Sequence, residues 1–242
     1  MKLVITKDYK AMSELAAHIV LSEMFVDKRV NVAITAGRTP KLMYEQIIPV
    51  IKGNPSLKNV HYYMFDETPI THRIGDNRQQ LNDLFFTPAL IPSVQIHPLD
   101  EHNDDDYEAQ IEAAGGLDLM VIGMGADGHF CANMPPKADF DQYMYRINID
   151  ESFPWQKRYQ DSVLPEQSTY MITMGAKSLM KVKRLVLIVN GSEKAEALKA
   201  AILGPVTTLL PASILRYHPN LTVIVDEEAA ALLDRQEIQK FL

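Results

Sequence analysis

With 242 residues, 47% of them hydrophobic and 23% charged, the chain has the composition of an ordinary globular protein and is long enough for one large α/β domain spanning residues 1–242. A net charge of −7 offers no global field for a polyanion and argues against nucleic acid as a partner, while leaving room for a local basic pocket that holds one phosphate. No run approaches membrane-spanning length, the first ten residues carry no apolar signal core, and Cys131 is the single cysteine, so the expectation is no membrane association and a reducing, cytoplasmic compartment.

In chain order, the first predicted strand is Lys2–Ile5, followed by a helix whose apolar face is Met12, Leu15, Ala16, Ile19 and Val20. Arg29–Ile34 is the next strand. The loop after it opens a helix that Thr39 would cap, with Pro40 as its first residue and Met43, Ile47, Val50 and Ile51 facing inward. Val60–Phe65 is a third strand. The acidic run Asp104–Asp106 suits a solvated helix start, where negative charge complements the helix dipole, and no metal site is expected there. Leu117–Ile122, Leu185–Val189 and Leu221–Val225 complete the strands, with a helix from a Ser192 cap to Gly204 and a terminal helix over Glu227–Phe241. Most strands are nearly continuous apolar runs, as in a parallel sheet covered on both faces, so the alternation predicts a mainly parallel, doubly wound α/β sheet. The stretch Phe130–Gln167 breaks the rhythm with Pro135, Pro136, Pro154 and Pro165, and reads as a loop-rich flap or insert.

Ligands of open α/β sheets bind beyond the carboxyl ends of the strands, so the residues that follow each strand carry the chemistry. Thr35-Ala36-Gly37-Arg38-Thr39-Pro40 reads either as a plain helix start or as an anion site, and Arg38 beside a positive helix end favours the anion. Asp66-Glu67 is either surface charge or a base reaching into the crevice. Gly123-Met124-Gly125-Ala126-Asp127-Gly128-His129 contains G-x-G-x-x-G, yet Pro135 and Pro136 follow too soon for the helix that a dinucleotide fingerprint needs. No cofactor is therefore expected. The turn presents Asp127 and His129, a carboxylate and an imidazole close enough for one to orient the other. Lys194, in the first turn of a helix, opposes the dipole unless an anion shares that end.

Together these segments resemble the glucosamine-6-phosphate deaminases and 6-phosphogluconolactonases over almost the full length. The resemblance rests on Thr35–Pro40, Asp66-Glu67, Gly125–His129, Met174-Gly175, Gly191-Ser192-Glu193-Lys194-Ala195 and Pro211–Leu215 with His218-Pro219. It implies a modified Rossmann-like sheet, a phosphorylated sugar as substrate, no nucleotide or metal, and a hydrolase; a homo-oligomer is compatible with it. Gly37, Arg38, Thr39, Glu67, Arg158 and Lys194 would be substrate-binding, with Arg158, Lys194 and the Thr39 loop on the phosphate. Asp66, Asp127 and His129 would be catalytic. In a deaminase His129, assisted by Asp127, opens the sugar ring and Asp66 moves the C2 proton toward C1 with loss of ammonia; in a lactonase His129 activates water. Met134 stands where the deaminases carry a glutamate, and Asp76-Asn77 is similar to a Ser-Asn of the lactonases, whereas Thr68 and the C-terminal third follow the deaminases. An amino-sugar-6-phosphate deaminase is thus the leading expectation, a lactonase the alternative, and a sugar-phosphate sensor without turnover the second alternative.

Overall fold

The structure, a computed structural model, describes residues 1–149 and 168–242. Its centre is a seven-stranded sheet in the order β1-β10-β9-β6-β2-β3-β5. These strands are β1 (Lys2–Thr6), β2 (Val30–Ala33), β3 (Val60–Tyr63), β5 (Ile96–His97), β6 (Leu119–Gly123), β9 (Leu185–Val189) and β10 (Leu221–Asp226), and every neighbouring pair is parallel. All five residues of β9 and all four of β2 are buried, which is why β9 reads as an unbroken apolar run and β2 as one interrupted only by Asn31, whose amide donates to the carbonyls of Ala114 and Gly116. Helices lie on both faces. Tyr62 of β3 meets Phe85 and Phe86, and Phe85 meets Tyr44 of α2 (Lys41–Ile51), which packs beside α1 (Tyr9–Met24). Tyr63, pointing the other way, meets Tyr107 of α4 (Asp104–Ala113). The remaining helices are α3 (Asp76–Leu81), α5 (Ala176–Leu179), α6 (Ala195–Leu203) and α7 (Arg235–Ile238). None of the helices among the described residues is long and apolar enough to cross a membrane.

The expected strands are present, with ends shifted by a residue or two. A second sheet, of order β4-β8-β7, has no counterpart in the sequence reading. It joins β4 (Asp66–Glu67) antiparallel to β8 (Tyr170–Met174), and β8 antiparallel to β7 (Met144–Asn148). Part of the expected flap is therefore a strand. Its Arg146 forms a two-pronged ion pair with Asp104, with Nη2 to Oδ1 at 2.8 Å. Asp104 is thus buried and paired, not solvated as expected. Three helix ends also differ. Thr39 does not cap α2, which starts at Lys41 with no side-chain cap; Tyr9 Oη takes that place, donating to the Thr39 carbonyl at 3.0 Å and accepting from Leu42 N–H at 3.3 Å. Ser192 begins a short 3-10 turn through Lys194 and makes no cap bond. The expected terminal helix survives only as α7 and a following 3-10 turn, because Asp226 draws Ala229 N–H into a turn and Asp234 caps a new helix at Gln236 N–H.

On the Tyr63 face, His61 Nδ1 and His97 Nε2 lie 2.9 Å apart, the Tyr63 ring stacks on His97 at 4.3 Å, and Arg29 donates to Tyr63 Oη at 3.2 Å. One N–H fits between the two rings, and protonating both imidazoles would place two cations beside Arg29. Burial lowers both imidazoles from the ordinary 6.5, and the Arg29 charge lowers them further. The unfolded chain therefore takes up protons first, so the stability this cluster contributes is complete above that ordinary value and is lost as pH falls through it. His97→Phe keeps the stacking and removes one titrating ring. The drop in urea midpoint between about pH 7.5 and about pH 5.5 should be smaller in this variant than in the parent; equal drops would locate the acid sensitivity elsewhere.

Candidate active site

The strand order reverses direction between β2 and β6, so the loops leaving these two neighbours open onto one crevice. A cleft of about 700 Å³ lies there, lined by the Thr35–Pro40 loop, the Gly123–Asp127 turn, His129, Asp66, Asn77 and Lys194 among others. It brings together Gly37, Arg38, Thr39, Asp66, Asp127, His129 and Lys194 from four separate segments. Arg158 lies outside the described residues.

Glu67 is not in the cleft. Neighbouring residues of a strand point to opposite sides, and the two residues of β4 divide accordingly. Asp66 faces the cleft. The buried Glu67 carboxylate accepts from Thr68 N–H at 2.8 Å, Asn77 N–H at 2.7 Å and Arg78 N–H at 3.0 Å, with burial pushing its carboxyl up to about 8. Glu67 thereby pins the start of α3, and α3 delivers Asn77 Nδ2 to Asp66 Oδ1 at 2.8 Å. Burial raises the Asp66 carboxyl to about 7, against the lowering effects of the Asn77 hydrogen bond and the His129 charge. A carboxyl in that range exchanges protons readily at neutral pH.

Across the cleft, His129 Nδ1 lies 2.6 Å from Asp127 Oδ1, which also accepts from His129 N–H at 3.1 Å. Burial alone would raise Asp127, but the hydrogen bond and charge of His129 outweigh it and hold the carboxyl below its ordinary value. An ionised Asp127 can only accept, so Nδ1 carries the proton of this hydrogen bond, and Nε2 is the ring nitrogen that Asp127 does not engage. The turn closes on itself, Gly125 N–H donating to His129 O at 2.9 Å, and no dinucleotide-type helix follows. A Cβ on Gly125 would overlap the His129 ring and the Asp127 carboxylate. Gly125→Ala should therefore displace the imidazole and lower kcat by about tenfold while the thermal midpoint stays near that of the parent. A kcat equal to the parent's would show that the His129 position is not needed.

At the other end, Lys194 Nζ donates to Thr39 Oγ1 at 3.1 Å, an interaction left open because Tyr9, not Thr39, caps α2. Burial lowers the Lys194 pKa and the Arg38 charge lowers it further, against Glu193 and Asp226. No carboxylate among the described residues pairs with Lys194 within ion-pair distance. Gly37, at φ +95°, holds the loop in the left-handed region that glycine tolerates best. The cleft thus has a cationic end and an acid–base end.

Cys131, Met134 and Met171 also line the cleft. Cys131 faces the cleft, but burial and then the Asp66 charge push its thiol well up, so it is a neutral thiol and not a nucleophile. Met134 is buried in a small apolar cluster with Ala132 and Ile147, against Met171 of β8, so no carboxylate supports His129 from that position. Met171 had no local signal, since it enters the cleft only through the second sheet.

Residues 8–224 match the family described as glucosamine-6-phosphate isomerases/6-phosphogluconolactonase. The chain belongs to this family. A relative from Thermoanaerobacter pseudethanolicus named glucosamine-6-phosphate deaminase is 33% identical over 254 residues, covering 99% of this chain and 98% of the relative. One of the same name from Oceanobacillus iheyensis is 32% identical over 241 residues, covering 95% of each. Among solved structures, a monomeric glucosamine-6-phosphate deaminase superposes with a TM-score of 0.79 at 26% identity, covering 96% of this chain and all of that one. A 6-phosphogluconolactonase from Trypanosoma cruzi shares the fold, with a TM-score of 0.73 at 16% identity and 96% of each chain covered. The expected modified Rossmann-like α/β fold is that of the family. The expected class of hydrolase is corrected: the relatives near one-third identity are named deaminases, and the lactonases are distant.

Proposed function

We propose that the chain is an amino-sugar-phosphate deaminase that converts glucosamine-6-phosphate into a ketose phosphate and ammonia, in a reducing cytoplasmic setting. The observation that carries this reading is a single cleft with the Asp66 carboxyl and the His129–Asp127 pair at one end and, at the other, Lys194, which no carboxylate among the described residues pairs with. Lys194, Thr39 and Arg38 hold the phosphate and so place the sugar carbons toward Asp66 and His129. His129, through the Nε2 that Asp127 does not engage, takes the proton of the C1 hydroxyl and passes it to the ring oxygen as the bond from C1 to that oxygen breaks, while Asp127 stabilises the transient imidazolium. Asp66 then removes the C2 proton and returns it at C1 while an amino proton passes to the C1 oxygen, which leaves an imine at C2; water adds to this imine and ammonia leaves, giving the ketone. A single base of pKa near 7 serves both the removal and the return.

The test is ammonia release from glucosamine-6-phosphate, with galactosamine-6-phosphate and 6-phosphogluconolactone assayed in parallel. Release from an amino-sugar phosphate, with little lactone hydrolysis above the spontaneous rate, is the expected result. Lactone hydrolysis exceeding ammonia release would overturn the proposal, as would binding without turnover of any of the three.

A further inference from the structure

At the end of the sheet opposite the active-site cleft, where α2 finishes and the chain turns toward β3, lies a separate cavity of about 230 Å³. Its walls include Ile51, Leu57, Leu90 and Ile91, and Lys58 is the one charged residue that lines it. Gln95 braces one side, its amide donating to the carbonyls of Leu57 at 2.8 Å and Val60 at 2.6 Å. The buried tyrosines distinguish this cavity from a packing gap. Tyr44 donates its hydroxyl to Thr35 O at 2.6 Å and Tyr107 to His97 O at 2.7 Å. Tyr62, only 1% exposed and lining the cavity, has no hydrogen-bond partner for its hydroxyl among the described residues. Buried hydroxyls are ordinarily satisfied, and one on a residue that lines a mostly apolar cavity calls for a partner within it.

We propose that this cavity is a second ligand site, which takes a small, uncharged, largely apolar molecule of about one ring, bearing a single hydroxyl or carbonyl that pairs with Tyr62. The volume is below that usual for a drug-sized ligand but suits a ring with one substituent. A sugar phosphate suits it less well, because Ile51, Leu57, Ala89 and Ile91 offer its many hydroxyls no partner and Lys58 is the one charged residue among the described lining.

The probes are p-cresol and toluene, which differ by one hydroxyl, followed through methyl NMR signals of the full chain. Both should shift the methyls of Ile51, Leu57, Leu90 and Ile91 saturably, p-cresol at lower concentration. Tyr62→Phe removes only the oxygen; it should weaken p-cresol by about tenfold, the scale of one buried hydrogen bond, and leave toluene unchanged. Ile91→Trp, which fills the cavity from a half-buried wall position, should abolish both. Shifts that do not saturate, shifts confined to the Asp66–His129 cleft, or p-cresol affinity unchanged by Tyr62→Phe would each overturn the proposal. Thermal midpoints confirm that the variants are folded, and the Tyr62→Phe comparison decides even where Ile91→Trp is too disruptive.

Discussion

Asp66→Asn is expected to lower kcat for ammonia release by between about a hundredfold and ten-thousandfold, the range for loss of a general base, with substrate affinity changed only a few-fold. The substitution is close to isosteric. An asparagine carbonyl still accepts from Asn77 Nδ2, now at 2.8 Å from Asp66 Oδ1, so the floor of the cleft keeps its shape. What disappears is the ability to accept the C2 proton. Because burial places the Asp66 carboxyl at about 7, kcat/KM of the parent should rise as pH rises through neutrality and the carboxylate forms; this limb should be missing from the variant. The stability consequence has the opposite sense. A carboxyl raised in the folded state binds its proton more tightly there than in the unfolded chain, so its ionisation on going to alkaline pH opposes folding. Asp66→Asn should thus be at least as stable as the parent at about pH 8, a trade of stability against reactivity typical of active sites. Exchange of the C2 proton with solvent at the parent rate would remove Asp66 from the mechanism.

Lys194→Ala is expected to reduce kcat/KM for the sugar phosphate by about a hundredfold to a thousandfold, the scale of losing one partner of a desolvated charge pair. The ammonium is half-buried, anchored on Thr39 Oγ1 and destabilised by its surroundings, so a bound dianion would relieve an existing strain rather than add an ordinary surface contact. Much of the loss should fall on KM. A share should fall on kcat, because phosphate binding also holds the reacting carbons against Asp66 and His129. Lys194→Arg, which keeps the charge but not the reach, should recover only part of the activity. Inorganic phosphate should inhibit the parent competitively and the alanine variant much less. Unchanged kcat/KM in Lys194→Ala would move the phosphate to another part of the cleft.

The parallel strands were legible in the sequence because a strand covered on both faces must be apolar at every position, as Leu185–Val189 and Leu119–Ile122 are. From that pattern followed the crevice at the strand ends and most of the cleft residues, including the Asp127–His129 turn, whose partners lie two residues apart. The second sheet left no such trace. Its β4 is two residues long, and β7 carries Arg146 and Asn148 among its apolar residues, so neither has a periodic signal to detect. Composition and local pattern thus determined the fold class, the main strands and the chemical types available at their ends. Only the tertiary structure decided that Asp66 faces the cleft while Glu67 is turned away to position Asn77, that Tyr9 caps α2 and leaves Thr39 to Lys194, and that Asp104 is buried against Arg146. Burial along one strand depends on neighbours in sequence; these pairings join residues as far apart as Thr39 and Lys194, and depend on which strands the topology sets side by side.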